Sequence, residues 1–324
     1  GMPGKIYDTL SSFANQQGGG IILFGLDESK HFTVCGVYDS QDLQRKVMEQ
    51  SLQMEPVLRP LLTVTMIDGG AVVSAEIAEC DQVEKPCFYR GVGRIRGSYV
   101  RMGDTDLPMT EYEIYSYEAY RRRIHDEMRC VERATYAHLS EDNIQEYLLH
   151  IKRKKPNLSR LTTERLLETQ GLLQQGKPTV AGLLILGEYP QEFFPQLCVT
   201  AIVIEGRHIG EINALDQARF IDNKRIEGNL PQLIEGTIAF IRRNMKTRTI
   251  IDQEGNRVDQ TEYPLKAIRE IVLNALIHRD YSMHTELTPV TVVMYEDRLE
   301  VENPGGLYGR MTLDNLGKMS ADTR

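Results

Sequence analysis

Long apolar runs are missing from this chain. No stretch approaches the ~18–20 residues that a membrane-spanning helix requires, and no charged–apolar–small pattern of a signal peptide opens it. Membrane insertion is therefore not expected. The five cysteines, Cys35, Cys80, Cys87, Cys130 and Cys198, form no CxxC pair, which argues against structural zinc. An odd, scattered set of thiols fits a reducing cytoplasm, with the cysteines serving as small core residues. No GxxxxGK[ST] segment is present, so a phosphate loop of the P-loop type is excluded, and helicase activity is not expected. Internal repeats and low-complexity tracts are also lacking. Excess positive charge is absent too: the formal net charge is −8, so any contact with nucleic acid needs a local basic patch. What remains is ordinary for a globular protein. Hydrophobic residues make up 41% and charged residues 26% of 324 positions, enough for two or three domains. The leading Gly1-Met2 reads as an expression remnant and is left out of the fold reasoning.

Residues 5–16 read as an amphipathic helix with Ile6, Leu10 and Phe13 on one side. A glycine turn, Gln17–Gly20, leads into an apolar strand over Ile21–Gly25, and Asp27–Lys30 is a polar turn. A second helix spans Asp42–Met54, with Leu43, Val47 and Leu52 inward. Asp68-Gly69-Gly70 between two strand patterns, Leu61–Ile67 and Ala71–Ile77, signals a hairpin. Lys85–Arg101 reads as further strand material, and Glu111 to about Arg133 as one long helix. Leu139–Leu149 and Thr163–Leu173 read as helices, the second capped at Thr162-Thr163. Thr179–Leu186 and Leu197–Glu205 read as strands, and the order around GLLQQGKPTVAGLLILG hints at a winged-helix-like element. Asn229–Met245 is a helix with Leu230, Leu233, Ile234, Ile238 and Ile241 inward. A hairpin follows over Ile250–Val258, around Glu254-Gly255-Asn256.

The segment REIVLNALIHRDY, Arg269–Tyr281, carries the most chemistry. Glu270, Asn274 and His278 recur every four residues and so stack on one face of a helix opened by Pro264. Beyond it VTVVMYEDRLEVEN reads as a strand, and NPGGL at 303–307 as a tight turn. A polar amide and a carboxylate one turn apart suit a cation carrying phosphate oxygens, because magnesium takes oxygen ligands and keeps several waters. Solvated positions on an amphipathic helix would show the same spacing.

That helix and turn resemble the GHKL ATP-binding fold of histidine kinases, gyrase and heat-shock chaperones. NALIHRDYS, EDRLEVENPGGL and FANQQGGGIILFGLDE together resemble a bacterial family labelled "putative transcriptional regulator", some members of which are labelled RecG-like. That family joins an N-terminal Alba-type domain, shared with Schlafen proteins, to a C-terminal GHKL module. The resemblance covers nearly the whole chain and implies an α/β (α+β) protein. It implies an Alba-like α/β sandwich over 5–115, a helical, winged-helix-like middle over 116–215, and a GHKL-type sandwich over 216–324. It implies ATP and Mg2+ as ligands. Asn274 would ligate the magnesium, Glu270 would polarise water, and His278 would line the phosphates. The turn with Asn303, Gly305 and Gly306 would take the base. An Asp usually opens that turn; here Asn303 stands there, with Glu302 one residue off register. The glycine lid that usually follows does not occur before Arg324, so either the chain is truncated or the site is incomplete, and weak or absent hydrolysis is expected.

The Alba-type resemblance implies DNA as a partner and a homodimer. Arg90, Arg94, Arg96 and Arg101 alternate with Tyr89 and Tyr99. On a strand Arg94 and Arg96 would share one face, as would Tyr99 and Arg101, suiting phosphate contact and base stacking. SYVRMG matches the family's YxRxG pattern. The acidic strand of RNA-cutting Schlafen relatives finds no match, so nuclease activity is not expected. Two other basic runs, Arg121–Arg123 and Lys152–Lys155, read as solvated faces. Three classes of function stay open: a DNA-binding regulator with an ATP-sensing module, an ATPase or nucleic-acid-processing enzyme, and a ligand-free interaction module.

Overall fold

The computed structural model describes residues 4–208, 220–251, 257–309, 311 and 318. Two compact units result, one built on Gly1–Ile124 and one on His125–Leu307. Both mix helices with small sheets, so the class is α+β. No helix among the described residues is long and apolar enough to cross a membrane.

In the first unit, α1 (Tyr7–Asn15) packs with β1 (Gly20–Phe24), α2 (Ser40–Ser51) and β3 (Gly70–Ile77), and the largely exposed β2 (Leu61–Ile67) pairs with β3. The three strands pair antiparallel in the order β1-β3-β2. Leu10, Val47, Val73 and Ala75 are fully buried between helices and sheet. The β2–β3 hairpin turns at Asp68 (φ 48°) and Gly69 (φ 77°), the left-handed pair that its sequence signals. Leu52 differs from expectation: it lies past the end of α2 and is exposed. Gly19 (φ 72°) explains the glycine turn before β1. A Cβ there would sit 2.1 Å from the carbonyl oxygen of Ile77, so the close approach is to the protein's own backbone. Lys85, buried, pairs with Glu79 at 2.6 Å, and Glu79 accepts from the Gly18 N–H, which fixes the same turn.

The segment Lys85–Arg101 is not continuous strand. Arg94–Gly97 is a single helical turn, followed by a hairpin of β4 (Tyr99–Met102) and β5 (Thr105–Pro108). The long helix expected after it is half as long. α3 (Glu111–Arg122) opens with a capping box between Thr110 and Glu113 and stops where Arg123 turns left-handed (φ 52°).

The second unit begins with α4 (Glu141–Lys154), α5 (Thr163–Thr169) and α6 (Val180–Leu186). Ser140 and Thr162 cap the first two, Thr162 as its sequence suggests. Residues 179–186 are a helix, not a strand. Thr179 Oγ1 accepts from the Gly182 N–H at 3.0 Å, and the helix is buried nearly all round, which erases its periodicity. Ile144, Leu166, Leu167, Leu183 and Leu186 form its core.

Then follow β6 (Val199–Val203), β7 (Asp222–Ile226), α7 (Leu230–Asn244), β8 (Thr247–Ile251), β9 (Arg257–Thr261), α8 (Leu265–Ile277), β10 (Val290–Met294) and β11 (Leu299–Glu302). The expected hairpin exists as β8 paired antiparallel with β9; its turn, 254–256, lies outside the described residues. The stretch read as one strand over 290–303 is the hairpin β10–β11, broken at Glu296-Asp297-Arg298. The sheet runs β7-β6-β10-β11, with β6 and β10 parallel and both outer pairs antiparallel. Leu233, Phe240 and Ile241 of α7 and Ile268, Val272 and Leu276 of α8 cover one face. That packing fixes which side of α8 looks outward.

Candidate functional site

Burying Ile268, Val272, Ala275 and Leu276 turns the opposite side of α8 to solvent. Glu270 and Asn274 lie on that exposed side, as their spacing requires. Asn274 Nδ2 donates to Glu270 Oε1 at 3.3 Å. His278 is exposed and caps the helix end, its N–H donating to the Asn274 carbonyl at 2.9 Å. At 1.5 Å per residue the three residues span about 12 Å of the helix axis.

The chain then folds back on itself through Arg279, Asp280, Ser282 and Thr285, all buried. Arg279 donates to three backbone carbonyls: Asp280 (3.3 Å), Thr285 (3.1 Å) and Thr288 (3.0 Å). Its guanidinium lies over the Tyr281 ring, 5.2 Å from the centroid. Asp280 accepts from the Ser282 N–H at 2.8 Å, a local turn that sets its carboxylate. The Asp280 N–H donates to the carbonyl of Pro304 at 2.8 Å. That bond joins the end of α8 to the turn Asn303–Gly306. Gly305 (φ 122°) closes the contact, since a Cβ there would meet the Asp280 Cβ at 3.0 Å. Gly306 is exposed with open space around its α-carbon. Helix end and turn are thus brought together, with Asn303 half-buried between them and β11. Sequence reasoning placed the helix and the turn but gave Arg279 and Asp280 no part. The Asp-x-Ser pattern after the helix was the available signal for the local turn.

Burial pushes the Tyr281 phenol up to about 12, its neighbour Arg279 pulling the other way and Glu127 adding to the rise. Its hydroxyl donates to the Leu276 carbonyl at 2.6 Å. A raised folded-state value means stability that is complete below the unfolded value, near 10, and is lost as pH rises towards 12. Stability should therefore fall across pH 10–12, and Tyr281→Phe should flatten that part of the profile. Urea unfolding at stepped alkaline pH checks it; an equally steep loss in the variant would contradict it.

Among the described residues no group of three or more His, Cys, Asp or Glu side chains could hold a metal ion. A cation at α8 would depend on Asn274 and on the ligand's own oxygens. Of the thiols, Cys80, Cys87 and Cys198 are buried as expected, Cys130 is half-buried and Cys35 is exposed.

The basic set of the first unit is less open than its sequence suggests. Arg94 and Arg96 sit on a helical turn, so they do not share a strand face. Arg94 pairs with Glu118 and lies over the Phe88 ring; burial, more than the neighbouring Arg121, lowers its guanidinium. Arg96 is exposed. Arg101 pairs with Asp106 at 2.8 Å and lies over Phe13. Burial works to raise the Asp106 carboxyl, but hydrogen bonds from Ser12, Thr9 and Arg101 outweigh it and hold it below the ordinary range. Tyr99 is half-buried, its phenol raised by burial and then by Asp8. Arg90 pairs with Glu55, and Tyr89 stacks on Tyr7 at 3.7 Å.

Residues 2–110 match the family model described as "Schlafen, AlbA_2". The chain has a Schlafen AlbA_2 domain at its N-terminal end. Residues 117–200 match a domain of unknown function. Residues 288–324 match the model described as "Putative ATP-dependent DNA helicase recG C-terminal", so the C-terminal end carries a RecG-like ATPase-type fragment. That match takes in Asn303–Gly306 but begins after α8, leaving Glu270 and Asn274 outside it. Among solved structures, the DIP2311 protein from Corynebacterium diphtheriae is 21% identical with a TM-score of 0.43; the match covers 98% of this chain and 59% of that one. The chain thus spans 59% of the length of that protein. The N-terminal domain of a protein from Nitrosomonas europaea described as "Putative ATP-dependent DNA Helicase RecG-related Protein" is 24% identical with a TM-score of 0.26. It covers 34% of this chain and 77% of that one. No curated protein matches the chain.

Proposed function

We propose that the chain is a DNA-binding transcriptional regulator whose second unit binds Mg-ATP as a GHKL-like sensor. The observation that carries the reading is the pairing of Glu270 with Asn274 on the exposed side of α8, together with a glycine turn bonded to the end of that helix. Asn274 spends its amide nitrogen on Glu270, which directs the amide oxygen, a hard donor, to the magnesium. Glu270 in this arrangement orients Asn274 through Oε1, and its second carboxylate oxygen remains available to polarise water. His278 lines the phosphate side, and Asn303, Gly305 and Gly306 form the base end. The mixed sheet covered on one face by α7 and α8 supports a GHKL-type sandwich. The AlbA_2 and RecG-like matches support a nucleic-acid-related, ATP-binding role.

A ligand that binds only the folded state stabilises it by about 2.7 kcal/mol at a hundredfold excess over Kd. Thermal unfolding with saturating Mg-ATP should therefore shift upward, and EDTA should remove the shift. An unshifted transition would contradict ATP sensing.

For DNA, Arg90 and Arg96 are the exposed members of the basic set; Arg90 pairs with Glu55, Arg94 and Arg101 are held by carboxylates, and Arg96 makes no ion pair among the described residues. Arg96→Ala should weaken duplex binding and reduce the salt slope by about 1. Unchanged affinity in a gel-shift titration would remove Arg96 from the interface. Arg94, Tyr99 and Arg101 then act as supports of that surface. The AlbA_2 domain is also the proposed dimer contact, which light scattering at high concentration checks.

A further inference from the structure

The densest positive charge along the described chain lies in the second unit, in a segment outside the AlbA_2 match. Between 152 and 165 six cations, Lys152, Arg153, Lys154, Lys155, Arg160 and Arg165, face a single acid, Glu164. In a chain of net charge −8 this is a local reversal of sign. The cations span the last turn of α4, the 3-10 turn Pro156–Arg160 and the start of α5. All but Lys152 are exposed. Arg165 is spent on Glu168 (3.1 Å) and Lys155 on Gln170 (3.3 Å). Lys152, Arg153, Lys154 and Arg160 make no ion pair among the described residues.

Cations in the last turn of a helix complement its dipole, which accounts for one or two of those on α4. It does not account for Arg160, which lies beyond that helix. Nor does it account for a second helix entering the same surface. The apolar side chains of this stretch, Leu158 and Leu161, pack inward on the α4–α6 core. Asn157, Ser159 and Thr162 stand exposed between the cations. Leu149, the exposed apolar residue of α4, lies a turn before the cluster and lines a groove with α7. A surface of cations and small polar groups suits phosphate oxygens. A membrane surface would need apolar anchoring besides the charge.

We infer that the α4–α5 surface is a second nucleic-acid contact, one that grips the phosphate backbone of duplex DNA through Arg153, Lys154 and Arg160. It rests on the reading that this chain engages DNA, and it adds a surface outside the AlbA_2 domain.

The test compares the full chain with the triple variant Arg153→Gln, Lys154→Gln, Arg160→Gln and with Arg96→Ala. Each is titrated onto a fluorescent duplex of arbitrary sequence between about 50 and 200 mM salt, with unfolding curves as a check on the fold. Each phosphate contact contributes about 0.9 to the slope of log K against log salt. The triple variant should lose about 2.7 of that slope and bind at least about tenfold more weakly, with an unchanged unfolding midpoint. Unchanged affinity and slope in the triple variant, with Arg96→Ala weakened, would overturn this inference and leave the AlbA_2 reading standing. Absence of duplex binding by the unaltered chain would overturn both. Loss of sedimentation with phosphatidylserine vesicles, with DNA binding intact, would assign the patch to a membrane surface instead.

Discussion

Replacing Arg279 by alanine is expected to lower the stability of the second unit by about 3–5 kcal/mol. Arg279 is 2% exposed and its guanidinium supplies donors to the carbonyls of Asp280, Thr285 and Thr288. Burial already works against its charge, so those carbonyls and the nearby Tyr281 and Asp280 must offset the cost. Removing it leaves buried acceptors without donors and a void beside the Tyr281 ring. In a unit of this size the midpoint of thermal unfolding should fall on the order of 10 °C. Arg279→Lys should recover only part, since one ammonium cannot reproduce a planar fork aimed at separate carbonyls. Differential scanning calorimetry checks both. A shift of a degree or two for the alanine variant would mean that Arg279 is not what fixes the segment between α8 and β10.

The second large effect is expected at Gly305. Its φ of 122° lies where side-chain-bearing residues are strained, and a Cβ would stand 3.0 Å from that of Asp280. Gly305→Ala should cost about 1–3 kcal/mol. Relieving the contact pushes the turn away from Asp280 and should weaken the bond from the Asp280 N–H to the Pro304 carbonyl. Gly306→Ala is the control, with open space at the same turn and an expected change within about 0.5 kcal/mol. Equal effects at the two glycines would show that the turn is not held against Asp280.

The elements that the sequence made legible are those with a strong local signal. Glu270 and Asn274 could be placed because a four-residue spacing projects them to one side, and the buried Ile268, Val272 and Leu276 settle which side that is. Asp68-Gly69 marked a hairpin because both residues must be left-handed. Misreadings arose where periodicity is silent. Val180–Leu186 is apolar all round because it is buried all round, and only its Thr179 cap marks it as a helix. The arginine alternation at Arg94 and Arg96 looks like a strand, yet Gly93 (φ 79°) starts a helical turn there. The commitment of Arg101 to Asp106, with Thr9 and Ser12 on the same carboxylate, joins residues nearly a hundred positions apart. The bond from Asp280 to Pro304 is likewise set by tertiary folding. Spacing showed the helix of the candidate site; only the folded chain brings its end and the turn together.

Calorimetric titration of Mg-ATP into the full chain and into Asn274→Ala tests the central claim most directly. Asn274 is exposed and contributes nothing to the core, so the variant should fold normally. Saturable, magnesium-dependent binding to the unaltered chain, reduced at least about thirtyfold (roughly 2 kcal/mol) in the variant, is the expected result. Equal binding by both, or none by either, would contradict a magnesium–nucleotide site on α8.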